Sequence, residues 1–146
     1  MQKQIPKQMD FITSTIPYCD NFTWGEFLWL PRWELYCFPD ENQYINIKNV
    51  ALKLQQIRHI FDRPIKVTSG LRPKSYNKLI RGARSSYHML GMAVDFQVKN
   101  ENCDHVRAVL EQKLERLGIR MEAKPGSSWC HIDMGKPSRN GRYFKP

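Results

Sequence analysis

The chain of 146 residues, 41% hydrophobic, fits one domain with a single core of ordinary size and leaves no room for a second catalytic domain. Its 23 Lys plus Arg against 14 Asp plus Glu give a net charge of +9, a field that attracts polyanions of any kind: nucleic acid, anionic cell wall or acidic lipid. The positive charges are scattered from Lys3 to Lys145 and form no run, which argues for a solvated surface and against specific nucleic-acid recognition.

The N-terminus, MQKQIPKQMDFITSTIPYCD, has no continuous apolar stretch of signal-peptide length, and no later window approaches the ~20 apolar residues of a membrane span. A protein made in the cytoplasm without a conventional export signal is expected. Cys19, Cys37, Cys103 and Cys130 match no C-x-x-C metal or redox pattern. Free thiols are the default expectation, with a Cys19–Cys37 disulfide as the alternative.

With no repeat, low-complexity tract or Gly/Ser linker, residues 1–146 read as one domain in which 1–45 form an aromatic-rich N-terminal extension packed on the core. Thr23 and Glu26 have the spacing of a capping box, so a short helix is predicted from Thr23 and ends by Pro31. The aromatics Trp24, Phe27, Trp29, Trp33, Tyr36 and Phe38 could stack on sugar rings but are expected to pack against the domain. Ile47, Val50, Ala51, Leu54, Ile57 and Phe61 recur every three or four residues, the face of a core helix, with His59 on it as a surface residue. Ile65-Lys66-Val67-Thr68 is a strand that enters a loop at Ser69-Gly70.

A second strand is predicted over 93–98, where Val94, Phe96 and Val98 alternate with Ala93, Asp95 and Gln97. One continuous helix from about Asp104 to Leu117 follows, carrying His105 in its exposed first turn and ending at Gly118. The last strand, about 128–134, sets Cys130, Ile132 and Met134 on one face and Trp129, His131 and Asp133 on the other.

Two strands thus each present a metal-binding side chain opposite their apolar face. If they are neighbours in register, Asp95 and His131 lie close enough to share one ion. His88, seven positions before Asp95 with Gly91 between them to turn the chain, supplies a third ligand. Two imidazoles and a carboxylate leave a coordination position for water, the pattern of catalytic rather than structural zinc.

The runs Ser69-Gly70-Leu71-Arg72-Pro73, Ser86-Tyr87-His88-Met89-Leu90-Gly91-Met92-Ala93-Val94-Asp95 and Trp129-Cys130-His131-Ile132-Asp133 together resemble the M15 family of zinc peptidases. That family includes D-alanyl-D-alanine carboxypeptidases, murein endopeptidases and bacteriophage endolysins. The opening Phe-Thr-x-x-Glu-Phe is similar to that of short phage-type members. The resemblance implies a Zn2+ cofactor on His88, Asp95 and His131, Arg72 holding the substrate or its developing oxyanion, and Ser86 near the bound peptide. It implies peptidoglycan stem peptide as substrate, and a phage endolysin, a virion-associated hydrolase or a bacterial enzyme exported by another route.

Several family members place a glutamate three residues before the last zinc histidine, where Ser128 stands here. Serine is no base near neutral pH, so either another carboxylate serves or the protein hydrolyses slowly; of the two carboxylates at hand, Asp133, on the face of His131, is the better candidate on periodicity, ahead of Glu122 in the preceding segment. Asp133 serves equally well as a carboxylate that orients a zinc histidine. The guanidinium of Arg72, charged at any working pH and forked, can grip a terminal carboxylate or stabilise an oxyanion, with a surface salt bridge as the alternative.

The expected architecture is a monomeric α+β domain: a small antiparallel sheet, helices on one side, a zinc cleft on the other. The expected activity is zinc-dependent hydrolysis of a stem-peptide bond. A non-catalytic zinc-stabilised wall-binding domain is the alternative, and a basic nucleic-acid-binding module is a weaker one.

Overall fold

The computed structural model describes residues 4–146. Met1 to Lys3 of the stretch read for a targeting signal lie outside the described residues. Among the described residues no helix is long and apolar enough to cross a membrane.

The N-terminal section carries α1 (Gln4–Thr13), a hairpin of β1 (Thr15–Ile16) and β2 (Cys19–Thr23), α2 (Trp24–Leu28), and a second hairpin of β3 (Trp29–Leu30) and β4 (Leu35–Tyr36). The capping box forms at the start of α2, where the Thr23 backbone N–H donates to the Glu26 carboxylate at 2.7 Å. The helix gives way to β3 before Pro31 is reached. Trp24 and Phe27 are buried, Trp24 stacking on Tyr44 at 4.6 Å between ring centroids, whereas Trp29, Trp33, Tyr36 and Phe38 keep more than a third of their surface exposed.

The core helix α3 (Glu41–Phe61) begins a turn and a half before the apolar periodicity does. A second capping box sets its start: the Gln43 N–H donates to Asp40 Oδ1 at 2.8 Å, and the Asp40 N–H donates to Gln43 Oε1 at 2.9 Å. Its apolar face, from Ile47 to Ile57, buries against Phe22, Phe27 and Leu28 of the N-terminal section and against the inner face of the sheet, so one hydrophobic cluster joins both parts.

After β5 (Ile65–Ser69) come α4 (Lys74–Leu79), a 3-10 turn over Tyr87–Leu90, β6 (Ala93–Val98), α5 (Cys103–Glu111), α6 (Leu114–Leu117), β7 (Arg120–Glu122), β8 (Cys130–Asp133) and β9 (Tyr143–Phe144). The main sheet runs β5-β6-β8-β7-β9. It is antiparallel except at its last pair, where β9 lies parallel to β7. Val94, Phe96, Cys130 and Ile132 turn to the core beneath the helices, and the opposite face carries the cleft.

The continuous helix expected over 104–117 divides in two. At Lys113 the backbone leaves the helix (φ −112°, ψ −1°), its N–H bonding three residues back to Leu110. Beyond the break Leu114, Leu117 and Ile119 are all buried, and β7 starts directly after them at Arg120. Gly118 caps it in the left-handed conformation (φ +70°), as expected. All four cysteines are free thiols, and Cys37 Sγ donates to the Leu28 carbonyl at 3.3 Å.

Candidate metal centre

β6 and β8 are neighbours, and their register sets Asp95 opposite His131. The local sequence builds the third position with more apparatus. Ser86 caps the 3-10 turn by accepting the His88 N–H at 3.2 Å, and Gly91 closes it at φ +74°. A Cβ on Gly91 would stand 2.9 Å from the Gln43 carbonyl oxygen, so only glycine lets the turn sit this close to α3. Gln43 and Asn46 then hold it from α3 through the Met89 and Leu90 carbonyls, at 3.0 and 2.9 Å. His88 is only 2% exposed.

Asp95 is the hub. Its Oδ1 lies 3.1 Å from His88 Nε2 and 2.8 Å from His131 Nδ1, while its Oδ2 accepts from Arg72 Nη2 at 2.9 Å. Arg72 Nε is held by Ser69 Oγ at 2.9 Å. Burial opposes ionisation of Asp95, but the charges and hydrogen bonds of His88 and His131 prevail and keep its carboxyl below the ordinary range. Burial also disfavours charge on both imidazoles. It wins at His88, whose pKa is lowered; at His131 the hydrogen bonds to Asp133 and Asp95 prevail and push it up to about 9.

One donor atom from each of His88, Asp95 and His131 lies within 4.8 Å of the others, a group that could hold a metal ion. The outer contacts fit that use. His88 Nδ1 lies 2.8 Å from the Gly70 carbonyl oxygen and donates to it, leaving Nε2 to face Asp95. His131 Nε2 lies 2.9 Å from Asp133 Oδ2 and donates there, leaving Nδ1 for the same point. Each imidazole thus spends one nitrogen on a fixed acceptor, the arrangement that aims a metal-ligating histidine. Two nitrogens and a carboxylate oxygen suit zinc with a position open.

The group lines a cleft of about 680 Å³ that also takes in Arg72, Ser86, Glu122, Lys124 and Trp129. Asp133 lies at its edge, 1% exposed, with Oδ1 accepting from Arg120 Nε (2.7 Å) and the Gly135 N–H (2.9 Å), and Oδ2 from Arg120 Nη2 (3.0 Å) and His131. Glu122 is placed differently. The β7–β8 ladder pairs Arg120 with Asp133 and Met121 with Ile132, so its continuation brings Glu122 beside His131, and its charge reaches Arg72. Ser128 does not line this cleft. It lines a separate cavity of about 700 Å³ with Lys66, Lys99 and Cys103, its carbonyl accepting from Gln97.

Sequence reasoning missed Arg120, Tyr87 and Phe144. Arg120 shares the alternation that picks out Glu122, with Met121 buried between them, and that was its only signal. Phe144, edge-on to His131 at 5.9 Å, comes from a two-residue strand too short for any periodicity.

No curated protein matches this chain. The sequence model of one family, Peptidase M15, matches residues 26–133, a span that begins in the capping box of α2 and holds Arg72, Ser86 and all three members of the His-Asp-His group. A match over most of the chain, laid over a sheet that brings those three side chains together, establishes that the chain belongs to the Peptidase M15 family.

Proposed function

We propose that this chain is a zinc-dependent peptidase that cleaves a peptide bond in peptidoglycan stem peptides. One observation carries the reading: in a chain of a peptidase family, His88 Nε2, Asp95 Oδ1 and His131 Nδ1 converge in one cleft of about 680 Å³. Zinc bound there would supply Lewis acidity for the scissile carbonyl and for water.

The chain's own residues do the rest. Arg72 has Nε and Nη2 committed to Ser69 and Asp95, which fixes the Asp95 carboxylate and leaves Nη1 to donate to a substrate oxygen. Ser86 sets the turn that presents His88 and borders the peptide. Glu122 takes the proton from the attacking water and returns it to the leaving amine. Its place in the open cleft supports this, whereas Asp133 has both oxygens occupied and is suited to orienting His131. The +9 charge favours approach to an anionic wall, in phage lysis, from a virion or after non-classical export, and the chain acts as a monomer.

Metal analysis combined with digestion of purified sacculi is the test. About one zinc per chain with release of peptides is expected. Zinc without release would make the chain a wall-binding domain, and neither zinc nor release would leave a basic module that binds polyanions.

A further inference from the structure

Arg120 stands beside the candidate metal centre without touching it. Its guanidinium carbon lies 4.2 Å from the centroid of the Phe144 ring and 5.2 Å from that of Tyr87. Its side chain is 15% exposed, and it grips both oxygens of a carboxylate that is 1% exposed. Three backbone arrangements maintain the grip. The β7–β8 register sets Arg120 across from Asp133. The parallel pairing of β7 with β9 brings up Phe144. At Gly135 a Cβ would stand 2.7 Å from the Tyr87 ring and 3.0 Å from Arg120 Nε, so the clamp closes only over glycine.

Asp133 Oδ2 is where this clamp meets the site, since it accepts from Arg120 Nη2 and from His131 Nε2. A carboxylate held by a two-point fork cannot turn about its own axis. Its oxygen is then a fixed acceptor, and the ring that donates to it has a fixed plane and a fixed free nitrogen. Phe144, which covers Arg120, also meets the edge of the His131 ring.

We propose that Arg120, clamped between Tyr87 and Phe144, is a positioning residue that works through Asp133 to aim His131 Nδ1, and so sets how tightly the site takes a divalent cation. This rests on the reading that His88, Asp95 and His131 hold that cation. Lysine at 120 keeps a charge near Asp133 but loses the fork, leaving the Gly135 N–H as the one remaining donor that holds the carboxylate against the pull of His131. A role in folding alone would lower the thermal midpoint and leave the cation affinity of the folded protein untouched.

Zinc affinity, measured by competition with a chromophoric chelator, and the visible spectrum of the cobalt(II) form together provide the test, with neither readout requiring turnover. Arg120→Lys and Arg120→Met are expected to weaken zinc about 10–100-fold, the loss typical when an outer partner of a metal ligand is removed, and to shift the cobalt bands. Asp133→Asn should do the same. The double variant Arg120→Met/Asp133→Asn should bind no more weakly than Asp133→Asn alone, because both changes break one relay. Phe144→Leu, which spares the ion pair, should weaken zinc several-fold and serves if the arginine variants fail to fold. Losses that multiply in the double variant, or full affinity with an unshifted spectrum in Arg120→Lys and Phe144→Leu, would overturn the proposal while the metal site stood. A wild-type protein that binds neither zinc nor cobalt would overturn both.

Discussion

Replacing Gly70 with alanine tests whether the N-terminal section holds the candidate metal centre in place. A Cβ built there would press closest on the Phe27 carbonyl oxygen and stand 2.6 Å from Phe27 Cα and 2.8 Å from the Phe27 carbonyl carbon, all backbone atoms that cannot swing aside. Ordinary contact begins at 3.4 Å, so α2 and the loop after β5 must part by at least about 0.8 Å. The Leu71 N–H, which donates to the Phe27 carbonyl at 2.8 Å, would then sit at about 3.6 Å and lose its bond. That loss is about 1 kcal/mol. Strain from the added methyl contributes about 1–3 kcal/mol more. The sum, about 2–4 kcal/mol, lowers the thermal midpoint by roughly 4–15 °C in a chain of this size. The same movement displaces the Gly70 carbonyl that His88 Nδ1 meets at 2.8 Å, so zinc affinity should fall about 10–100-fold. Thermal unfolding without metal and chelator competition with it measure the two effects separately. A midpoint within about 1 °C of wild type, together with unchanged zinc affinity, would refute the reasoning.

His88→Ala and His131→Ala should each abolish stoichiometric zinc binding, and undiminished zinc in both by metal analysis would end the ligand assignment. Glu122→Gln should lower the release of wall peptides more than about a hundredfold with zinc retained. If Asp133→Asn were the inactive variant, with zinc affinity intact and Glu122→Gln active, Asp133 would be the base. Without metal, stability should peak near pH ~6.5, the ordinary histidine value. His131, raised to about 9, contributes stability that is present below pH ~6.5 and lost as pH rises through its folded value, whereas His88, lowered by burial, loses its contribution as pH falls below ~6.5. Asp95 and Asp133, both lowered, add a further loss once pH drops beneath the carboxylate range. A scan of thermal midpoints in chelator checks this, and a maximum above pH 9 would contradict it.

The parts of the fold legible in the sequence are those where one physical signal dominates. Alternation over 93–98 and around 131 announced two strands with Asp95 and His131 on one face, because a half-buried sheet forces that period. Thr23 and Glu26 announced α2 because a capping box is local chemistry. The same chemistry at Asp40 and Gln43 went unread, since it lies ahead of the apolar stripe it starts. The break at Lys113 was illegible because no glycine or proline marks it, and the burial of Leu117 and Ile119 beyond it shows only in the folded chain. At the site, His88, Asp95 and His131 could be named from pattern. The standing of Asp133 could not, because its occupancy depends on Arg120, thirteen residues away and visible only once β7 lies against β8.

The antiparallel pairing of β6 with β8 also fixes an order of events. His88 and Asp95 are near neighbours in the chain, but His131 joins them only across a ladder whose intervening loop holds α5, α6 and β7. No short peptide from this protein can therefore assemble the three donors by itself, as the segments of a zinc finger do around their ion. The apolar cluster that includes Val94, Phe96, Cys130 and Ile132 joins the two strands without calling on the three donors, so on the proposed zinc reading a cation would meet a scaffold already closed. Refolding rates should then be indifferent to zinc, and unfolding rates sensitive to it, because a metal bound there would reinforce a native state that the apolar cluster assembles.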